Sequence, residues 1–188
     1  MVLFSTVGNS SRDERLEGYL KAIANDDMTS LRLLYEETGA GVFSFALSML
    51  KNREDAEDVL QDVYLSVHNS AHLYKPMGRP MEWLMTITRN QCLSKLRQRS
   101  KQKPLEREDT AVDYFDISDS DQRIALNEAL KSLTDEERRI VTLHSAAGLK
   151  HREIGAVLDM PPSTVRTKYH RALKKLRKLL SEGGANDG

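Results

Sequence analysis

Apolar positions recur at helical spacing along most of the chain. Between Arg12 and Ala24 they are Leu16, Tyr19, Leu20 and Ile23, one face of a helix turning by about 100° per residue. From Met28 to Leu50 the stripe runs through Leu31, Leu34, Tyr35, Val42, Phe45, Ala46 and Met49, with a weak point at Gly39 and Gly41. A third stripe, Ala56, Val59, Leu60, Val63, Val67 and Ala71, extends from Asp55 to about Tyr74. Asn52 precedes it as a cap, and acids in the first turn suit the positive end of the helix dipole. Lys75-Pro-Met-Gly-Arg-Pro80 interrupts the pattern, because two prolines and a glycine break a helix. A further helix is predicted from Met81 to Arg99 on Trp83, Leu84, Ile87, Leu93 and Leu96.

Periodicity stops between Gln102 and Ser120, a stretch rich in Asp that reads as a linker. Beyond it the pattern predicts four short helices: Asp121–Leu133, Asp135–Ala147, Lys150–Leu158 and Pro162–Leu180. Thr134-Asp-Glu-Glu137 is a capping-box pattern that marks one of these starts. The expected fold is all-α. Two small helical domains, residues 13–101 and 121–181, are joined by a flexible acidic linker over 102–120, and the second carries a helix-turn-helix. Residues 1–12 and 182–188 are expected to be disordered.

Composition narrows the class. Aromatic residues make up 6% of the 188 residues and charged ones 30%, which suits helices and fits a β-sandwich poorly. A lone cysteine, Cys92, excludes an internal disulfide framework and any cysteine-rich zinc module, and its place on a predicted helix points to a buried structural thiol. The first residues lack a basic, then apolar, signal pattern. The most apolar run, Val42–Leu50, is far shorter than the roughly 20 residues of a membrane span. The expected compartment is the cytoplasm.

Net charge is zero, with 28 bases and 28 acids, yet the charges are segregated. Arg53–Tyr64 is net −4, Lys75–Lys103 net +7, Pro104–Arg123 net −5 and Lys150–Leu180 net +7. Two basic blocks thus flank an acidic tract, the arrangement of interaction segments.

The last basic block coincides with a short helix, a break at Asp159-Met-Pro161 and a long helix, the outline of a helix-turn-helix. Val165, Tyr169, Ala172, Leu173, Leu176, Leu179 and Leu180 share one face of the long helix. Ser163, Arg166, Thr167, His170, Arg171 and Lys174 share the other, with Thr164 and Lys168 at its edges. Hydroxyls and bases near a helix N-terminus match the donor and acceptor pattern of a major groove. Lys150, Arg152, Lys175, Arg177 and Lys178 would add phosphate contacts that position without reading sequence.

In the first domain, Asp58, Gln61, Asp62 and Asn69 lie opposite the apolar stripe with Leu65 exposed among them, a face suited to docking a partner. Lys75 and Arg79 on the loop, and Arg89, Asn90, Lys95 and Arg97 on the next helix, are placed to hold single-stranded DNA beside Tyr74 and Trp83. Trp83 itself reads as core. His68 and His72 at i, i+4 are a possible metal pair without a third ligand at suitable spacing. No phosphate loop or nucleophile motif is present, so no catalytic residue and no cofactor are expected. A stand-alone helix-turn-helix regulator would explain the second domain but leave the acidic helix and the Trp83–Arg97 segment without roles.

Three segments together resemble a bacterial sigma factor of the extracytoplasmic-function (ECF) group, over about Met28 to Leu180. They are Asp55-Ala-Glu-Asp58-Val-Leu-Gln61-Asp62-Val-Tyr-Leu65; Tyr74-Lys-Pro76 with Trp83-Leu84-Met-Thr-Ile87-Thr-Arg89-Asn90 and Leu96-Arg97; and Gly148-Leu149 with Glu153-Ile154-Gly155, Ser163-Thr164-Val165-Arg166-Thr167-Lys168 and His170-Arg171-Ala172-Leu173. The resemblance implies a transcription initiation factor rather than an enzyme. It implies that Asp55, Asp58, Gln61, Asp62 and Leu65 bind core RNA polymerase at the β′ clamp helices, with further contact to the β subunit. It implies that the second segment captures the −10 element and the third reads the −35 element. An anti-sigma partner is expected too. The chain departs from the family pattern at Ser94, where Asp is frequent, at Asp159, where Gly is common, and at Arg166-Thr-Lys168, where Lys-Ser-Arg is usual. Asp tolerates the left-handed conformation such a turn requires.

Overall fold

The computed structural model describes residues 4–102 and 120–183, with side-chain surroundings for 11–101 and 126–180. The linker expected over 102–120 and the tail over 182–188 therefore lie almost wholly outside the described residues. Every regular element among the described residues is helical: α1 Phe4–Ile23, α2 Met28–Leu50, α3 Arg53–Ser70, a 3-10 turn Ala71–Leu73, α4 Pro80–Gln102, α5 Ser120–Lys131, α6 Asp135–Ser145, α7 His151–Leu158 and α8 Pro162–Gly183.

Helix α1 opens at Phe4, ahead of the start expected near Arg12 and within the segment expected to be disordered. Once the turns carrying buried Leu16, Leu20 and Ile23 are formed, each added residue needs no new nucleus. Helix α2 runs unbroken through Gly39 and Gly41. Two interior glycines cost about 1 kcal/mol each. Burial of Leu34, Val42, Phe45 and Leu47, at about 1.5–3 kcal/mol for each large side chain, outweighs that.

Helix ends follow the local chemistry of the sequence. Asp27 caps α2 by accepting from the Thr29 amide at 3.0 Å. Asn52 Oδ1 caps α3 through the Asp55 amide at 2.9 Å. Thr134 and Glu137 form the reciprocal capping box of α6, at 3.3 and 3.0 Å. The buried Arg138 closes the other side of this corner: it donates to the Leu130 and Leu133 carbonyls at 3.0 and 2.9 Å, satisfying the exposed end of α5.

Helices α1–α4 pack as one unit and α5–α8 as another, and the two units touch where α2 meets α6 and α4 meets α7. A Cβ on Gly41 would stand 3.0 Å from the Ala146 carbonyl and 3.2 Å from Ala147 Cα, so the bare glycine lets the end of α6 reach the surface of α2. Lys51 Nζ pairs with Asp135 Oδ1 at 2.9 Å across the same seam. Cys92 is buried, as expected, and burial pushes its thiol up to about 12, so it stays protonated and unreactive.

Candidate nucleic-acid interfaces and docking face

The helix-turn-helix is built from α7 and α8. Ile154, Gly155 and Val157 bury the inner side of α7. Asp159 ends it in the left-handed conformation (φ 57°, ψ 51°), as its residue type allows. The chain then folds back so tightly that a Cβ on Gly155 would meet the Met160 carbonyl oxygen at 2.6 Å. Only glycine permits this turn. Pro162 opens α8, where its missing N–H is no loss.

Val165, Ala172 and Leu176 bury one face of α8, and Tyr169 and Leu173 are half-buried beside them. Leu179 and Leu180, expected on this buried face, are 40% and 45% exposed because α8 runs on past the elements it packs against. On the opposite side Ser163, Arg166, Thr167, His170, Arg171 and Lys174 are all exposed, with Thr164 and Lys168 half-buried at the edges. Thr167 Oγ1 donates back to the Ser163 carbonyl at 3.0 Å, which turns its methyl and lone pairs outward. Lys168 is held by Glu136 of α6 at 2.6 Å and Lys175 by Glu137 at 2.7 Å. Those two ammonium groups brace α8 on α6, whereas Arg166, His170 and Arg171 face solvent. Lys150 and Arg152 on the neighbouring α7 segment are also exposed.

Three imidazoles gather at this face, His170 on it and His144 and His151 behind it. His144, His151 and His170 surround Tyr169, with His144 and His151 stacked at 5.4 Å. His144 Nδ1 lies 2.9 Å from the Leu149 carbonyl. Burial, then the neighbouring His144, His170 and Arg166, hold His151 below the ordinary imidazole range, so it is neutral near pH 7.

In the first unit, Asp58, Gln61, Asp62, Leu65 and Asn69 share the exposed face of α3, and Leu65 is 63% exposed. Asp55 does not join them. Its carboxylate turns toward α4, where it pairs with Arg99 and, at 3.4 Å, with Lys95. Lys95 also donates to Asp58 at 2.8 Å. These groups clamp α3 to α4, so Lys95 faces α3 rather than the loop. Thr86, Asn90 and Arg97 are exposed in one row along α4, and Arg89 is half-buried.

The loop before α4 encloses a cavity of about 280 Å³ lined by Tyr74, Met77, Arg79, Trp83 and Thr86 among others. Trp83 is half-buried, with its ring edge-on to Tyr74 at 5.3 Å. It serves the core and the cavity wall at once, where the sequence pointed to core alone. The apolar liners Leu73 and Met77, 65% and 69% exposed, join Tyr74 and Trp83 at the site, although neither was singled out from the sequence. Their signal was present as two apolar side chains in a segment too broken to bury them. His72 falls in the 3-10 turn, His68 lies 3.7 Å from Asp26, and among the described residues no group of three or more His, Cys, Asp or Glu side chains is placed to hold a metal ion.

The described residues thus form an all-helical chain with an exposed helix-turn-helix face, an acidic helix face and a basic, aromatic-lined loop. Comparison with known proteins resolves the class. Residues 34–102 match the family model "Sigma-70 region 2", and residues 123–176 match "Sigma-70, region 4". The chain is 38% identical over 153 residues to the RNA polymerase sigma factor CarQ of Myxococcus xanthus, covering 79% of this chain and 88% of that protein. It is 27% identical over 184 residues to the ECF RNA polymerase sigma factor SigK of Mycobacterium ulcerans, covering 92% and 97%. Its fold resembles CnrH in a complex with the cytosolic domain of CnrY (TM-score 0.63, 19% identity, 89% of this chain and 98% of that one). It also resembles the sigma factor RpoE in a complex with the anti-sigma factor NepR from Bartonella quintana (TM-score 0.61, 22% identity, 80% and 96%). The chain belongs to the sigma-70 family, as a member of its ECF group. Sigma factors are transcription factors, and the family indicates no catalytic activity. No described helix is long and apolar enough to cross a membrane.

Proposed function

We propose that this chain brings core RNA polymerase to promoters by holding two DNA elements and one protein surface at once. The exposed face of α8, with hydroxyls and guanidinium groups in its first turns, carries the reading. Arg166 can bond a guanine edge bidentately while Ser163, Thr164, Thr167, His170 and Arg171 contact neighbouring bases and phosphates of the −35 duplex. Lys150, Arg152 and Lys174 position the duplex through its phosphates. Lys168 joins them only by leaving Glu136.

The −10 element is taken as an unpaired strand. Tyr74 and Trp83 offer aromatic surface to a base, while Lys75, Arg79, Arg89, Asn90 and Arg97 follow the backbone. Lys95, and with it Asp55, contributes by fixing α4 on α3. The exposed row Asp58, Gln61, Asp62 and Leu65 docks on the β′ clamp helices, with an apolar centre inside a polar rim. The acidic charge of Pro104–Arg123 repels nucleic acid that is not promoter, and the β subunit is a further polymerase contact. An anti-sigma protein covers the docking surfaces when the factor is idle. The complex of the similar sigma factor RpoE with the anti-sigma factor NepR supports an anti-sigma partner for this chain, and the work takes place in the cytoplasm.

Reconstituted transcription tests the reading. Core polymerase with this chain is expected to initiate at a defined set of promoters from a genomic library, and core alone is not. DNA binding by the chain without initiation on any promoter would instead favour a stand-alone helix-turn-helix regulator.

A further inference from the structure

We propose that Glu17 of α1 is a positioning residue for −10 capture, holding the loop between α3 and α4 in its reading shape. This role rests on the −10 reading given above. One carboxylate oxygen, Oε1, accepts from the Tyr74 hydroxyl at 2.6 Å and from the Gly78 amide at 2.8 Å. The two donors stand at opposite ends of the loop. Between them Lys75, Pro76 and Met77 are exposed, and Gly78 takes a left-handed turn (φ 66°). Nothing in that segment has a buried side chain to anchor it. The Glu17 bonds supply what apolar burial supplies elsewhere in the fold.

The position of Glu17 is set independently of the loop. Leu16, Leu20 and Ile23 bury the inner face of α1, and Arg15 grips Glu37 of α2 at 2.9 and 2.7 Å. Removing the Glu17 carboxylate therefore leaves α1 docked. Fixing Tyr74 also fixes the ring that meets Trp83 at 5.3 Å, and with it one wall of the cavity. Burial, joined by the Glu17 carboxylate, keeps the Tyr74 phenol well above its ordinary range, so it remains a donor at any working pH.

The chain's single tryptophan, Trp83, reports on this wall directly. Acrylamide quenching of Trp83 in the full-length chain reads the loop, and filter binding reads the capture of a single-stranded non-template oligonucleotide by holoenzyme. The oligonucleotide comes from a promoter on which the holoenzyme initiates. Glu17→Ala, which removes both bonds that hold the loop, is expected to raise quenching and weaken oligonucleotide binding by about tenfold or more. Core-polymerase affinity and the unfolding midpoint stay at wild-type values. Glu17→Gln, which keeps an acceptor oxygen, restores most of the binding. Tyr74→Phe, which leaves the Gly78 bond in place, gives a smaller loss, and adding it to Glu17→Ala changes little beyond Glu17→Ala alone, since the bond it removes is already gone. If the wild type captures the strand and Glu17→Ala captures it equally well, the positioning role is wrong, whatever the quenching shows. If wild-type holoenzyme shows no affinity for the unpaired strand, the −10 reading itself falls and takes the role with it.

Discussion

The guanidinium of Arg12, in α1, donates to the main-chain carbonyl of Ala147, just beyond α6, at 3.1 Å. One bond thus ties the first helix of the α1–α4 unit to the base of the α5–α8 unit. The close approach of Gly41 to Ala146 and Ala147, and the Lys51–Asp135 pair, lie on the same seam. A side chain at Gly41 should wedge it open. Overpacking of this kind costs about 1–3 kcal/mol, enough to shift two units joined by a modest interface. Gly41→Val is expected to enlarge the radius of gyration in small-angle scattering while helical content by circular dichroism is unchanged.

Arg166 and Lys174 lie on the same face of α8 but are expected to fail differently. Arg166→Ala should weaken −35 binding by about 1–3 kcal/mol and relax preference at one base position. Lys174→Ala should weaken all sequences alike and reduce the salt slope by about one. Titrations of holoenzyme with a panel of −35 variants at several salt concentrations separate the two.

Asp62 and Lys95 test the division of labour on α3. Asp62 is exposed on the docking face, whereas Lys95 holds Asp55 and Asp58 from α4. Asp62→Lys is expected to abolish most core-polymerase binding, measured by co-migration in gel filtration, with no change in thermal stability. Lys95→Ala is expected to lower the unfolding midpoint while leaving core affinity within a few-fold of wild type, since partly exposed pairs contribute about 1 kcal/mol or less each.

Acid should loosen the second unit through Glu137. Burial opposes ionisation of this carboxylate, but Lys175 and the Thr134 cap outweigh it and hold its pKa below the usual carboxylate range. A carboxyl lowered on folding contributes stability that is full above its unfolded pKa and is lost as pH falls through the folded value. The unfolding midpoint should therefore be flat near neutrality and drop as pH falls below the ordinary Glu range. Glu137→Gln keeps the capping box, since Gln also suits its third position. It should flatten that drop, and calorimetry across the acid range would show it.

The elements legible in the sequence are those whose cause is local. The Asn52 cap, the Thr134 capping box and the left-handed Asp159 each depend on a few neighbouring residues, and each stands where its residue type points. The outward face of α8 follows from helical periodicity alone, because one turn of sequence fixes which side is apolar. The start of α1 was not legible, since eight residues without a large apolar side chain separate Phe4 and Val7 from the stripe that begins at Leu16.

The sequence by itself thus determined most of the helices, the two-unit order and the exposed polar faces of α8 and α3. Only the tertiary structure decided which charges remain outward. Asp55 and Lys95, 40 residues apart along the chain, meet between α3 and α4 in a cluster with Asp58 and Arg99. Glu17 and Tyr74, separated by 57 positions, meet under the loop, and Trp83 becomes a wall rather than core alone. The physical reason is reach. Periodicity records how a helix divides between water and interior, whereas an ion pair or a cavity depends on which other helix arrives opposite.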